Sequence, residues 1–400
     1  MTTVMPARTP VLSPTGVARL FSASAPDLAA HHQQFGPLPQ PDPTALLAAL
    51  EQSGLTGRGG AGFPTGAKLA AIRRAGRSAV VIANGAEGEP LSHKDRTLLR
   101  AAPHLVLDGL ALAAIAIGAK RRYLYLPAEC RDAATHAIAE RRGAHWDSAP
   151  TLVESSVHFL AGQESAAVNA VGGRPAIPGD AVIRVSGVGR APTLVCNVET
   201  LAHLALIARF GPQWFRSQGV PAEPGTRLVT VAGRGVFEVA GGTGLAQLLP
   251  DRAQLRAVLV GGYHGAWVPA DALGELRLSR ESLRPYGATP GAGVLVGLAR
   301  HECGLARAAD IVTWLAAQSA GQCGPCLNGL PRMAGVLTRL AHGDRDRGLP
   351  ADVVRLAALV EGRGACHHPD GTARLVRSAL RTFETDVALH LAGRCEARRG

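Results

Sequence analysis

From residue 42 onward the apolar positions alternate between two periods. "DPTALLAALEQSG" spaces its apolar residues as an amphipathic helix does, a Gly-rich loop follows, and the short apolar run "SAVVIANG" at 78–85 reads as a strand. A helix over 96–118 comes next, then the strand "RRYLYLP", the helix "ECRDAATHAIAERRG", the strand "TLVESSVHFL" and a helix near 164–171. "NVETLAHLALIARFG" makes the last helix of this part. Strands that alternate with helices predict an α/β domain with a largely parallel sheet over 45–217.

The pattern changes at "GVPAEPGTR". Beyond it, "RLVTVAGRGVFEVAGG" and "LRAVLVGGYHGAWVP" alternate with a period of two and turn every eight to ten residues, with "AGRG" joining two strands as a hairpin. This predicts a small β-rich module over 226–275. Helical spacing then returns over 304–319, 326–342, 350–361 and 371–391, which predicts a four-helix bundle in a region running from 290 to 400. Residues 1–44 are rich in Pro, Ala, Ser and His at their start and read as an extended or loosely packed arm.

Composition narrows the function classes. The chain has 400 residues, 46% of them apolar, which is ample for a buried core. A formal charge of +11 invites a nucleic-acid reading, but all except three of the 42 basic residues are Arg, scattered along the chain instead of gathered in a stripe. Nucleic-acid binding is not expected. The start lacks the apolar core of a signal peptide, and the longest apolar run, "HLVLDGLALAAIAIGA", is short for a bilayer span and carries Asp108, so neither export nor a transmembrane segment is expected. Seven cysteines, odd in number and irregularly spaced, argue against a disulfide framework and leave reduced thiols or cluster ligands.

Two stretches carry candidate chemistry. "GRGGAGFPTGAK" at 57–68 satisfies GxGxxG at Gly57, Gly59 and Gly62, but it follows a helix where the dinucleotide fingerprint follows a strand, and it lacks the Walker Lys-Ser/Thr pair. Its glycines still free backbone amides to converge on an anion, with Arg58 and Lys68 to complete a phosphate cradle and Phe63, extended before Pro64, to face a planar ligand. A tight surface turn is the other reading of the glycines. "NGAEGEPLSHKDR" then places Asn84, Glu87, Glu89, Lys94 and Asp95 beyond the carboxyl end of a strand, where open α/β sheets bind ligands and where carboxylates and an amide suit sugar hydroxyls. A solvated acidic turn is the alternative there.

In register, "GRGGAGFPTGAK", "NGAEGEP..KDR", "LAGQESAAV", "VCNVETLAHLA", "SAGQCGPCLNG" and "EGRGAC" resemble the family of NADH-binding FMN and iron-sulfur flavoprotein subunits of respiratory complex I, with relatives in soluble hydrogenases and formate dehydrogenases. The resemblance covers about 55–390 and implies a Rossmann-like flavin domain, a β-grasp module of soluble-ligand-binding type and a helical iron-sulfur domain. It implies that Gly57, Arg58, Gly59 and Lys68 hold FMN together with Asn84, Glu87, Asn197 and Thr200, and that Phe63 stacks on it. It also implies that Glu89 and Glu164 lie near NAD(H), that Gly162 lets the backbone approach the flavin, and that Cys323, Cys326 and Cys366 hold an iron-sulfur cluster.

The departures bear on the chemistry. Ala86 replaces an acid, Phe159 a Tyr and Gln163 a Glu of the family pattern, while "NGAExEP" is similar to the C subunit of the Rnf complex. Ala320 stands where the family's first cluster Cys would be. Three thiolates leave a three-iron cluster, a four-iron cluster completed by water, His367 or His368, or no cluster. Cys130, Cys196, Cys303 and Cys395 read as structural. The resulting expectation is an FMN-dependent NADH dehydrogenase-like enzyme in the cytoplasm, peripheral to the inner face of a membrane, with ferredoxin-like or other redox subunits as partners. The alternative is a scaffold that keeps the fold without the chemistry.

Overall fold

The computed structural model describes residues 18–75, 78–142, 149–179, 183 and 185–399. It opens with helices α1 (Leu28–Phe35), α2 (Pro43–Ser53) and α3 (Thr65–Arg74), then strand β1 (Val80–Asn84), helices α4 (Lys94–Ala101) and α5 (Pro103–Ile117), and strand β2 (Arg121–Leu126). Helix α6 (Arg131–Arg141), strand β3 (Thr151–Glu154), helix α7 (Glu164–Val171), strand β4 (Thr193–Asn197) and helix α8 (Val198–Arg216) complete this part. The four strands form one parallel sheet in the order β3-β2-β1-β4; the parallel sheet agrees with the alternation, but its edge strand β4 is not among the strands read from the sequence. The chain therefore leaves β1 toward β2 and β3 and returns on its other side at β4. The crevice beyond the carboxyl ends of β1 and β4 is the topological switch point, where such folds bind ligands.

Local sequence explains two differences from expectation. The helix foreseen over 96–118 is two helices bent by 96°, because Pro103 cannot donate to the preceding turn and starts a new helix at its first position. "TLVESSVHFL" is a strand only over Thr151–Glu154; it then turns and winds into a short 3₁₀ segment at Phe159–Gly162.

A two-residue ladder, β5 (Gly219–Val220) with β6 (Glu223–Pro224), leads into a five-stranded mixed sheet. Its members are β7 (Thr226–Val231), β8 (Gly235–Ala240), β9 (Leu255–Val260), β10 (Ala266–Pro269) and β11 (Val294–Ala299), with the short helices α9 (Leu245–Leu248) and α10 (Arg280–Leu283) between them. The "AGRG" hairpin joins β7 to β8 as read from the sequence. The sheet's central strand, however, is β11, which lies parallel to β7 and antiparallel to β9 and falls beyond 226–275. Helices α11 (Gly304–Ala317), α12 (Leu330–Ala341), α13 (Leu349–Val360), α14 (His368–Thr382) and α15 (Glu384–Leu391) follow. The last helix expected from the pattern is split at Phe383, whose ring packs against fully buried Trp267 of β10 and anchors the helices to the sheet.

The arm is not extended where it is described. The backbone amides of Arg19 and Leu20 donate to the Glu238 carboxylate of β8, and α1 buries His31 against Asp108 of α5. Residues 1–17 lie outside the described residues. Asp108 is itself almost fully buried and accepts from His31 Nε2 at 2.8 Å, from Arg141 at 2.6 Å and from Arg209. These three partners hold its carboxyl well below the usual range even though burial works the other way. Removing the carboxylate from two buried guanidinium groups leaves uncompensated charge. Asp108→Ala is expected to cost about 3–5 kcal/mol in denaturant unfolding, and Asp108→Asn less than Asp108→Ala because it keeps an acceptor.

Candidate functional site

The site is built at the ends of β1 and β4. Asn84 and Asn197 are paired in register as the last residues of those strands. Asn84 Nδ2 donates to Gly162 O at 2.8 Å, and Asn197 Nδ2 donates to Asp95 Oδ2 at 2.7 Å. Asn197 also caps α8 through the amide of Glu199. Beside them Lys94 is buried between Asp95 at 2.7 Å and Glu199 at 2.9 Å. Burial opposes its charge, but the two carboxylates outweigh it and hold the ammonium above its ordinary pKa. Glu199 Oε1 in turn accepts the Leu228 amide of β7 at 2.8 Å, so one cluster joins both sheets.

The glycine loop lies across this crevice. It is closed by a bridge between Thr56 and Pro64 and by the Gly57 amide on Phe63 O at 2.9 Å, while Gly59 backs onto Asn197. Gly62 has φ +66 and sits under the Arg280 guanidinium, so a side chain there would meet both strain and a clash. Arg280 also donates to Ala61 O at 2.9 Å. It reaches the loop from α10, more than two hundred residues away, and nothing in the local sequence marks it. Phe63 stays half-exposed at the loop's edge. Helix α3 starts at Thr65 without a side-chain cap, and the buried Thr65 hydroxyl has no partner among the described residues.

The predicted residues divide into frame and face. Arg58 is turned inward: its amide donates to Thr200 Oγ1 at 2.8 Å and its guanidinium to the carbonyls of Pro224 and Thr226 at 3.2 and 3.1 Å. Glu87 accepts from Ser92, from the amides of Asp95 and Arg96, and from Arg96 Nε, so it caps α4. Arg58, Thr200, Glu87 and Asn197 thus hold the walls. Phe63 and Glu164 are exposed, Lys68 and Gly162 half-buried, and Asn84 and Glu89 buried, while the small pocket at the loop is lined by Gly57, Arg58, Gly60, Lys94, Glu199 and Arg280 among others. Lys68 Nζ binds the Glu164 carboxylate and Val195 O at 2.6 Å, which brings together two residues that the motifs place apart.

Gly88 explains how two loops meet. A Cβ there would lie 2.2 Å from Phe159 O, so the "NGAEGEP" loop and the 159–162 turn pack backbone to backbone. The same turn aims Gln163 at Cys366: burial raises the Cys366 thiol pKa, while the Gln163 side chain and the His368 amide donate to its sulfur and oppose that rise. Against a burial effect of the opposite sign, the amides of Ala365 and Cys326 lower the Cys323 pKa, and burial with Cys323 nearby pushes Cys326 up to about 12. The Cys326 amide donates to Cys323 O at 3.0 Å, and the 159–162 turn meets this region through the Phe159 amide on Gln318 Oε1 at 3.1 Å and through its ring against His368, two residues after Cys366. His368 is buried with Nε2 on Leu315 O at 2.9 Å and Nδ1 on His264 at 3.0 Å, so neither nitrogen is free to complete a cluster; His367 is exposed and pairs with Asp370.

Two family profiles match this chain: the Nuo51 FMN-binding domain over residues 50–206 and the NADH-ubiquinone oxidoreductase-F iron-sulfur binding region over 306–390. The F 2 subunit of NADH-quinone oxidoreductase from Rhizobium meliloti (strain 1021) is 30% identical over 379 residues, 88% of this chain and 90% of that one. The F subunit of the Salmonella typhimurium enzyme is 30% identical over 378 residues, 86% and 84% of the two chains. Among solved structures, a chain of an NAD+-reducing [NiFe]-hydrogenase in the H2-reduced state superposes with a TM-score of 0.79 at 28% identity. That likeness covers 88% of this chain and 63% of the hydrogenase chain.

Glu89 supplies a pH test of the site. Its Oε2 accepts the Tyr263 amide at 2.8 Å, its Oε1 has no partner among the described residues, and burial raises its pKa to about 7. A carboxyl whose folded pKa is raised contributes stability that is full below its unfolded value near 4.5 and is lost as pH rises through about 7. Glu89→Gln keeps the shape without the charge, so unfolding free energies should show the variant gaining on the parent by about 2–3 kcal/mol between pH 5 and pH 8.

Proposed function

Because this chain belongs to the family of NADH-quinone oxidoreductase F subunits, we propose that it oxidises NADH, or reduces NAD, at the crevice beyond β1 and β4 and exchanges the electrons through Cys323, Cys326 and Cys366. It is an FMN-dependent oxidoreductase of the NADH dehydrogenase type. The observation that supports the path is the docking of the 159–162 turn on the thiol-bearing helices, where the Phe159 amide donates to Gln318 Oε1 at 3.1 Å and the Phe159 ring meets Trp314 and His368. FMN supplies the exchange between two-electron hydride and single electrons, which no side chain here performs.

The residues present suit a flat, phosphate-bearing group. Phe63 offers a half-exposed ring, and the uncapped start of α3 with the unpartnered Thr65 hydroxyl offers donors to an anion. Lys68, Arg280 and Arg58, whose buried Nε has no hydrogen-bond partner among the described residues, supply the positive charge. Asn84 fixes Gly162, and Glu89, with an unpaired oxygen, accepts a sugar hydroxyl or a carboxamide. Water is kept from the rear of the crevice by the Lys94, Asp95 and Glu199 cluster, whose donors and acceptors are already used.

At the thiol end, His367 or a water completes the coordination that Ala320 leaves short, since both His368 nitrogens are engaged. The chain is a member of a multi-subunit redox complex, and its immediate partners are ferredoxin-like or other redox subunits. No single helix among the described residues is long and apolar enough to cross a membrane; a cytoplasmic place at the inner face of a membrane accords with that.

Anaerobically purified protein should be yellow, carry about one FMN and an iron-sulfur cluster per chain, and be bleached by NADH. Colourless protein without iron or flavin would refute the reading in favour of a scaffold. Lys68→Ala and Phe63→Ala should each lower flavin retention about tenfold or more while shifting apoprotein stability by at most about 1 kcal/mol, because neither side chain is fully buried. Ala320→Cys should raise iron per chain; unchanged iron content and paramagnetic spectra would place the gap elsewhere.

A further inference from the structure

At the far end of α11 from Cys323, a second group of thiols is assembled. Cys303 caps α11, His390 lies on α15, and Cys395 follows that helix; one donor atom from each falls within 4.8 Å of the others. We propose that these three residues hold a single divalent ion of zinc type, separate from the site at Cys323, Cys326 and Cys366. The 14 residues of α11 span about 21 Å, so neither group can lend a ligand to the other.

The geometry favours one ion. The Cys303 sulfur and His390 Nε2 are 3.5 Å apart. In a tetrahedral zinc site with Zn–S near 2.3 Å and Zn–N near 2.05 Å, adjacent sulfur and nitrogen are separated by about 3.5 Å. The imidazole is also in the required state. Its Nδ1 faces Leu340 O at 3.2 Å, and a carbonyl can only accept, so Nδ1 carries the proton and Nε2 turns a lone pair toward the sulfur. A backbone carbonyl that fixes the tautomer is the usual support of a ligating histidine. His390 is nearly fully buried, and two thiolates with a divalent cation make a neutral group that burial tolerates.

Asp386, one turn earlier on the same helix, is fully buried with Oδ2 unpartnered among the described residues; it stands outside the group of three and would support a water in the fourth position. Its other oxygen is held at 3.0 Å by Arg256 of β9, which also binds Glu302 O and Glu396. An ion here ties the segment after α15 to the start of α11 and to the five-stranded sheet. A Cys303–Cys395 disulfide is the competing use of the two thiols, but it gives the buried imidazole no part.

The test is metal content of the intact holoprotein after gel filtration with a chelator. The parent should keep about one zinc per chain, and Cys395→Ser and His390→Ala should lower it at least about tenfold with iron unchanged. Cys326→Ser should do the reverse, losing iron and keeping zinc. Should the serine variant misfold, the parent grown on cobalt decides alone: intense tetrahedral d–d bands with thiolate charge transfer are expected. The proposal fails if the parent holds no zinc and shows no such cobalt spectrum, if zinc follows Cys326 instead of Cys395, or if a Cys303–Cys395 disulfide is found in the freshly isolated protein.

Discussion

Everything around the crevice hangs on four buried charges. Lys94 and Arg58 carry two positive charges, Asp95 and Glu199 two negative, and all four side chains are nearly excluded from solvent. A buried ion is tolerated only when paired and hydrogen-bonded, so this neutral set has essentially one arrangement. Each member also reaches a different wall. Asp95 takes Asn197 at the end of β4, Glu199 takes the Leu228 amide of β7, and Arg58 takes carbonyls of Pro224 and Thr226 while its own amide fixes the glycine loop to Thr200. The second sheet cannot slide relative to the parallel sheet without breaking charged hydrogen bonds. The width of the crevice is thereby set before any ligand arrives.

That constraint divides residues which one motif places side by side. In "GRGGAGFPTGAK" the first basic residue serves the frame and the second serves the face, and in "NGAEGEP" the first carboxylate caps α4 while the second is left with an unpaired oxygen. Arg58 gives two hydrogen bonds to carbonyls yet keeps a buried Nε without a hydrogen-bond partner among the described residues, whereas Lys68, held by an exposed carboxylate, can exchange partners at low cost. A second guanidinium comes from Arg280 of α10, which donates to Ala61 O in the loop. The glycine loop thus lies between the parallel sheet and the part that carries the second sheet.

Legibility followed the range of the interaction. The alternation of β1, β2 and β3 with helices depends on spacing within a few residues and is visible in the sequence, as are the hairpin of β7 with β8 and the separate character of the helical region; β4 is not, because its five residues run directly into α8 with no turn signal between them. Strand β11 was missed because "GAGVLVGLARH" is short and its identity comes from pairing with β7 and β9, at a separation of more than thirty residues. The packing of the arm was missed for the same reason: nothing near His31 announces Asp108, and nothing near Leu20 announces Glu238. The docking of the 159–162 turn on the helical region, through the Phe159 amide on Gln318 at a separation of 159 residues, is likewise marked by nothing in the local sequence.

The cysteines show how far composition alone can carry a functional argument. Cys130 and Cys196 sit in the α/β core, where burial raises both thiols to about 11 and keeps them inert. The other five lie around the helical region, and a count would treat them as one pool from which four cluster ligands might be drawn. The length of α11 forbids that: Cys303 is at its start and Cys323 just beyond its end. A thiol missing at position 320 therefore cannot be made good by Cys303 or Cys395, however many cysteines the chain contains. Coordination at Cys323, Cys326 and Cys366 must be completed by what lies at that end of the bundle. The opposite end of α11 keeps two sulfurs and an imidazole of its own, gathered within 4.8 Å and out of reach of Cys323.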